Sequence, residues 1–120
     1  MPVRRGADLD SSRAKDAERT LDVRAFATVP ALLESADIDV VVNITPPTAH
    51  ASVTMAAMDA GKDVYVEKPF ATSLAEADAV LRHAHATGRR LGCAPDIFLG
   101  SAGQTARAAL DAGAIGEPIG

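Results

Sequence analysis

The feature that most constrains the fold of this chain is a short run of β-branched residues. The segment Asp39-Val40-Val41-Val42-Asn43-Ile44 is nearly all apolar and does not alternate with polar residues. A strand with one exposed face shows such alternation, whereas a strand covered by helices on both faces does not. The run therefore predicts a central strand of a parallel sheet.

The rest of the chain alternates short apolar runs with longer stretches of helical period, which is the pattern of repeated strand-helix units. Further strands are predicted at 3–7, 23–27, 63–66 and 89–94. Helices are predicted near 12–20, 30–35, 47–60, 73–88 and 102–112. The fold class is therefore α/β with a parallel sheet.

The clearest helix signal begins at Ser73, which stands three residues before Glu76 with the spacing of a capping box. Gly88 is placed to end this helix. Between them, small and apolar residues recur on one predicted face: Leu74, Ala77, Leu81 and Ala84.

Composition limits the class of protein. A chain of 120 residues, 48% of them hydrophobic, can bury one modest core but has no room for a second full domain. Its 12 basic and 16 acidic residues are scattered and give a net charge of -4, so nucleic acid is not expected as a partner. No apolar run is long enough to cross a bilayer, and no signal peptide is recognised. The single cysteine, Cys93, fits a reducing, cytoplasmic setting.

Three candidate functional segments follow predicted strands, at the end where an open parallel sheet binds its ligand. The first contains Asp8, whose carboxylate can accept both ribose hydroxyls of an adenosine and would repel a 2′-phosphate. The alternative is that Asp8 or Asp10 only caps the helix that starts near Ser11.

The second segment is Thr45-Pro46-Pro47-Thr48-Ala49-His50. Its two prolines stiffen the turn, so that the chain can lie flat beside a planar ligand such as nicotinamide. Pro47 suits the first turn of a helix and places His50 on that opening turn. The alternative is that His50 is a structural or surface histidine with no functional role.

The third segment is Glu67-Lys68-Pro69. Oxidation of an alcohol by hydride transfer requires the hydroxyl proton to leave, and Lys68 could steady the developing alkoxide or relay that proton. The alternative is an ordinary exposed lysine beside an exposed glutamate. Other candidate side chains are expected to have no chemical role. His83 and His85 point in different directions and are expected on the surface, so no metal site is predicted. Met55 and Met58 are expected to pack on the sheet, and Cys93 is expected to be an inert, buried strand residue.

These segments in this order resemble the Gfo/Idh/MocA family of glucose-fructose oxidoreductases and inositol dehydrogenases. The resemblance covers nearly the whole chain and rests on three quoted pieces: Ala7-Asp8-Leu9-Asp10, then Ser35 to Val42 leading into Thr45-Pro46 and His50, then Ala60 to Pro69. It implies a Rossmann-like, doubly wound parallel sheet.

The resemblance also implies an activity, which is the NAD- or NADP-dependent oxidation or reduction of a sugar, polyol or related hydroxyl carbon. Lys68 matches the active-site lysine of the family, and Asp8 is expected to hold the adenosine ribose. Thr45, Pro46, Pro47, His50 and Glu67 are expected to line the nicotinamide side. Asp8 favours NAD, although Arg13 lies close enough to moderate a phosphate. In many relatives the peptide before the motif proline is cis, and the same is expected before Pro69.

The sequence departs from the family pattern at both ends. It contains no Gly-x-Gly-x-x-Gly turn, so it is expected to begin at the second strand and to lack the first strand-helix unit. Residues 1–113 are then a partial dinucleotide-binding domain, and 114–120 are the start of a connection to a missing substrate domain. Gly92 to Asp96 and Gln104 to Gly116 resemble the family's crossover toward the substrate domain, which implies that Asp96 and Gln104 are substrate neighbours.

On this interpretation the chain is a truncated dehydrogenase that is inactive alone, and it is a possible homo-oligomer. Two alternatives stay open. One is a non-catalytic dimerisation or binding module, and the other is a Rossmann-type lyase that uses Lys68 with a bound cofactor.

Overall fold

The computed structural model describes residues 4–95 and 97–117. It contains five short strands: β1 (Arg5–Ala7), β2 (Arg24–Phe26), β3 (Val40–Asn43), β4 (Asp63–Val66) and β5 (Leu91–Cys93). It also contains five α-helices: α1 (Ser11–Leu21), α2 (Val29–Leu33), α3 (Pro47–Asp59), α4 (Leu74–Thr87) and α5 (Ser101–Asp111). Every predicted strand and helix is confirmed to within a few residues. The predicted first strand began at Val3, which lies outside the described residues.

Polar side chains set the starts of three of the helices. The side chains of Asp10, Thr28 and Ser73 accept backbone hydrogen bonds at the starts of α1, α2 and α4. In α4 the Glu76 carboxylate turns back as in a capping box, and it accepts from the amide and the hydroxyl of Thr72, one residue before the cap. Gly88 ends the helix as predicted, with a left-handed φ of 65° that favours glycine.

The strands form two separate parallel sheets. One pairs β1 with β2, and the other has the order β3-β4-β5. No strand in the described part of the chain joins β1 to β3. This agrees with the expected gap in the sheet, and it leaves β3 at an edge rather than in the centre.

The main core lies on one face of the three-stranded sheet, where α3 and α4 pack. Its most buried apolar side chains are Ala57, Met58, Val66 and Val80. Met55 packs against this core, as predicted for the two methionines. Val80 is buried in this core and Ala84 packs against it, whereas the Leu74 and Leu81 side chains are exposed. The predicted α4 face is therefore partly wrong.

The opposite face of the three-stranded sheet is open. Val42 is 56% exposed and its β4 neighbour Tyr65 is 37% exposed. The expectation that helices cover both faces of the 39–44 run is thus wrong for the described residues. The run lacks alternation although one of its faces is bare.

The last helix extends away from the body. Ile97–Leu99 form a short 3₁₀ turn, and α5 packs on it so closely that a β-carbon at Gly103 would lie 2.5 Å from the Phe98 carbonyl oxygen. Helix α5 contains no buried residue. The radius of gyration is 17.6 Å, compared with about 14 Å for a compact domain of this length. No helix among the described residues is long and apolar enough to span a membrane.

Candidate functional site

Two of the predicted segments meet at the carboxyl edge of the three-stranded sheet. Strands β3 and β4 are parallel, with Asn43 paired to Val66, so the residues that follow them emerge side by side. Thr45 and Pro46 follow β3, and Glu67 to Pro69 follow β4. Asp8 occupies the corresponding place after β1, in the other sheet.

A set of hydrogen-bonded polar groups lies beneath this edge, and we refer to it as the buried network. Its members are Asn43, Thr45, His50, Thr54 and the carbonyl of Pro69. The side chains of Asn43, His50 and Thr54 are each at most 2% exposed. Polar groups buried to this degree are expensive unless all of them find partners.

Asn43 satisfies its entire amide in this network. Its Nδ2 donates to the His50 carbonyl at 3.1 Å and to Thr54 Oγ1 at 3.0 Å. Its Oδ1 accepts from the amide and the hydroxyl of Thr45, at 3.2 and 2.7 Å. One side chain therefore fixes the turn after β3 to the first turns of α3.

His50 is 1% exposed, and its ring connects the two loops. Nδ1 lies 2.7 Å from the Pro69 carbonyl oxygen, and Nε2 lies 2.8 Å from the Thr45 carbonyl oxygen. The ring thus lies under the predicted nicotinamide side rather than on its surface. Pro46 and Pro47 are exposed at the start of α3, where the sequence placed them.

Lys68 is exposed at the end of β4, and its peptide bond to Pro69 is cis, as the family resemblance implied. A second cis peptide precedes Pro95, and the sequence did not reveal it. The Lys68 amide donates to the Glu67 carboxylate at 2.5 Å. In the described part of the chain no hydrogen bond or ion pair involves Lys68 Nζ, so the ammonium group is available to a ligand.

Glu67 also influences the nearby thiol. Cys93, at the end of β5, is a free cysteine. Burial raises the pKa of the Cys93 thiol, and the negative charge of Glu67 raises that pKa further. Since the thiolate is the reactive form, both effects lower the reactivity of Cys93, which is the direction that the sequence predicted.

We call Asp8, Asp10 and Arg13 the acidic turn. Asp10 is the helix cap: it accepts from the Ser12 amide at 2.9 Å and the Ser12 hydroxyl at 2.6 Å, and these hydrogen bonds lower the pKa of its carboxyl. Asp8 accepts from the Asp10 amide at 2.8 Å and lies 3.2 Å from Arg13 Nη2. Its side chain is 36% exposed, so its oxygens remain accessible.

The weaker sequence predictions have mixed outcomes. Gln104 lies on α5, where its amide donates to the Phe98 carbonyl, and its role as a substrate neighbour stays a prediction. Asp96 lies outside the described residues. His83, expected on the surface, is partly exposed, and its Nε2 lies 2.7 Å from Asp59 Oδ1. No group of three metal-ligating side chains occurs among residues 4–95 and 97–117.

Sequence reasoning missed Asn43 and Thr54. The available signal was a single polar residue at the end of an apolar β-branched run, directly before the turn with two prolines. Such a residue is normally buried only with partners, and these lie up to eleven positions away on α3.

Residues 6–94 match the model of an oxidoreductase family with an NAD-binding Rossmann fold, Gfo/Idh/MocA. The chain is 37% identical over 115 residues to inositol 2-dehydrogenase 1 of Saccharopolyspora erythraea, covering 94% of this chain and 34% of that protein. It is 32% identical over 108 residues to scyllo-inositol 2-dehydrogenase (NAD(+)) of Bacillus subtilis, covering 89% of this chain and 32% of that protein.

A solved structure of a related enzyme has the same fold as this chain. A 3-ketoreductase from Actinomadura kijaniata, crystallised with NADP and TDP-benzene, superposes with a TM-score of 0.84 at 32% identity. That match covers 97% of this chain and 36% of the ketoreductase. The chain therefore spans about a third of the length of the relatives it matches.

Proposed function

Because this chain belongs to the Gfo/Idh/MocA family of oxidoreductases, we propose that it forms the cofactor-binding half of an NAD(P)-dependent dehydrogenase. The substrate that we propose is a sugar, polyol or related compound with a CH–OH group. The named relatives include two inositol dehydrogenases. Since the relatives are about three times longer, we propose that hydride transfer needs the further chain that they contain.

The observation that best supports this proposal is the position of Lys68. Lys68 is exposed directly after β4, and Thr45 and Pro46 follow the paired strand β3, so the three residues lie at the carboxyl edge where parallel sheets bind ligands. A nicotinamide cofactor, when bound, supplies or accepts the hydride. Lys68 then steadies the negative charge that develops on the substrate oxygen, or relays its proton. Glu67 accepts from the Lys68 amide and so helps to fix the loop.

Residues of this chain suit both ends of such a cofactor, the adenosine ribose and the nicotinamide ring. Asp8 offers accessible carboxylate oxygens for ribose hydroxyls, and the exposed Pro46 and Pro47 offer a rigid apolar edge for a planar ring. His50 acts from beneath this surface. The sequence has no glycine-rich turn for a pyrophosphate, so we expect weak binding by the chain alone.

The acidic turn bears on the choice between NAD and NADP. The Asp8 carboxylate favours NAD because it repels a 2′-phosphate, whereas Arg13 beside it can neutralise such a phosphate. One relative is named for NAD(+), and the ketoreductase was solved with NADP. We propose that NAD is preferred and NADP tolerated.

A titration with NADH, followed by cofactor fluorescence, tests the proposal. Asp8→Ala should weaken binding by about 10- to 100-fold, the range for losing a hydrogen bond to a charged group. Asp78→Ala, a change at an exposed aspartate on α4, is the matched control and should bind like the wild type. Circular dichroism checks that each variant is folded. Equal affinity of Asp8→Ala and the control would refute the assignment of Asp8.

The proposal also covers the limit of the cofactor-binding unit, its cellular location and its self-association. We propose that the cofactor-binding unit ends near residue 113, just after α5, a helix with no buried residue. A free Cys93 supports a cytoplasmic setting. Exposed Ile97, Phe98 and Leu99 support self-association, which light scattering would test.

A further inference from the structure

The contacts of the His50 ring restrict its chemistry. Both of its nitrogens face backbone carbonyl oxygens, of Pro69 at 2.7 Å and Thr45 at 2.8 Å. Carbonyl oxygens only accept hydrogen bonds, and a neutral imidazole has one N–H and one lone pair. Both contacts are hydrogen bonds only if each ring nitrogen carries a proton.

We propose that His50 is a positioning residue for Lys68, and that its doubly protonated ring holds the Pro69 carbonyl to the Thr45 carbonyl. Lys68 immediately precedes Pro69, so this bridge restrains the peptide that presents the ammonium group. The other end of the bridge is the turn after β3, which Asn43 holds in place. The two loops of the site are thus joined by a single side chain.

The energetic balance of this bridge has opposing contributions. Burial disfavours charge on the ring, and so does the positive end of α3, on whose first turns His50 lies. Two short charge-assisted hydrogen bonds act in the opposite direction. The neutral alternative would place a lone pair within 2.8 Å of a carbonyl oxygen, which is repulsive.

The backbone of His50 is also fixed. Its carbonyl accepts from Asn43 Nδ2 at 3.1 Å, and Asn43 in turn contacts Thr54 on the same helix. Because Asn43 holds the backbone of His50, the His50 ring can restrain the Lys68–Pro69 loop through its contact with the Pro69 carbonyl. The value of that restraint for the reaction rests on the proposed function, whereas the bridge itself does not.

Nitrogen NMR of isotope-labelled histidine in the complete chain tests the bridge without cofactor or substrate. At about pH 7, near the value where a free histidine titrates, the His50 ring should show two protonated nitrogens. Partly exposed His83 and exposed His85 serve as internal references. A His50 ring with one lone-pair nitrogen would overturn the doubly protonated bridge.

Backbone relaxation of the Lys68 and Phe70 amides tests the positioning role. In the wild type we expect order parameters of about 0.85, and in His50→Leu a fall to below about 0.6 at these two residues, with Val80 unchanged. His85→Leu is the matched control and should leave all three unchanged. Unchanged order in the Lys68 loop of His50→Leu would overturn the positioning role. If His50→Leu does not fold, the ring measurement on the wild type still tests the bridge, and wild-type order parameters below about 0.6 at Lys68 and Phe70 would overturn the positioning role.

Discussion

The buried network and the acidic turn each follow a strand, but they hold their polar groups in different ways. Asn43, His50 and Thr54 are nearly inaccessible, and each has hydrogen-bond partners at defined positions. In the acidic turn, Asp8 is 36% exposed and its partner Arg13 is 70% exposed. Ion pairs at such exposed positions contribute little to stability.

In the proposed function, this difference gives the two regions different tasks. The network beneath β3 and β4 sets the geometry of the loops before any ligand arrives, which benefits a reaction that needs a fixed lysine. The acidic turn offers charge that can rearrange around a ligand. We therefore expect substitutions in the network to change stability, and substitutions in the turn to change ligand preference.

The largest effect should come from Asn43→Leu. This change leaves the polar groups of Thr45, the Thr54 hydroxyl and the His50 carbonyl without their partner. At about 1–3 kcal/mol for each buried group left unpaired, the free energy of unfolding should fall by at least about 3 kcal/mol. Urea denaturation measures this loss.

Val42→Leu, at an exposed position on the same strand, is the control and should change stability by less than about 0.5 kcal/mol. Similar losses for Asn43→Leu and Val42→Leu would show that the network does not stabilise the fold.

A smaller effect is expected for Thr54→Val, which keeps the shape of the side chain but removes the acceptor for Asn43 Nδ2. The expected loss is about 1–2 kcal/mol in the free energy of unfolding. Thr48→Val, an exposed position on the same helix, should be nearly neutral by the same urea measurement. A neutral Thr54→Val would place the Asn43 amide in a different hydrogen-bonding arrangement.

For Arg13→Ala in the acidic turn, the expected change in stability is less than about 1 kcal/mol. Its ligand preference should change instead, because loss of the guanidinium leaves Asp8 to repel a 2′-phosphate alone. The affinity for NADPH should fall by more than the affinity for NADH, as measured by parallel fluorescence titrations. Lys15→Ala on the same helix is the charge-matched control. Equal losses of affinity for both cofactors would show that Arg13 does not help to select the 2′-phosphate.

The smallest effect concerns the amino end of β4, opposite the site. Hydrogen bonds from the Arg90 amide and guanidinium lower the pKa of the Asp63 carboxyl below its ordinary value of 3.8. A lowered pKa means that the ionised group stabilises the fold above that ordinary value, and that this contribution is lost as the pH falls through the folded-state pKa. Asp63→Asn should therefore lower the melting temperature at neutral pH but not in strong acid. A pH-independent difference would contradict this.

Much of the fold could be predicted because local signals agree with tertiary packing. The turn with two prolines, the Ser73 cap and Gly88 each specify a boundary within a few residues, and all were found there. The orientation of α4 was harder to predict. Leu74 and Leu81 lie roughly 100° or more around the helix from Val80, and periodicity among apolar residues does not tell which of two adjacent stripes meets the sheet.

The site was predicted in part. The places of Asp8, Thr45, Pro46, Pro47 and Lys68 after the strands could be predicted because each follows a strand signal, and their roles in binding stay predictions. The partners of the His50 ring could not be found, because backbone carbonyls leave no trace in the sequence. The role of Asn43 could not be predicted either, because it depends on contacts with residues that only the packing of α3 on β3 brings close.

The central claim is that the residues after β1, β3 and β4 form one cofactor surface. Backbone amide NMR of the chain during titration with NADH tests it most directly. We predict that the largest shifts cluster at Asp8, Thr45 and Lys68, while amides of α4 around Val80 stay unchanged. Shifts confined to α4 or α5, or saturable binding that leaves these three amides unmoved, would contradict it.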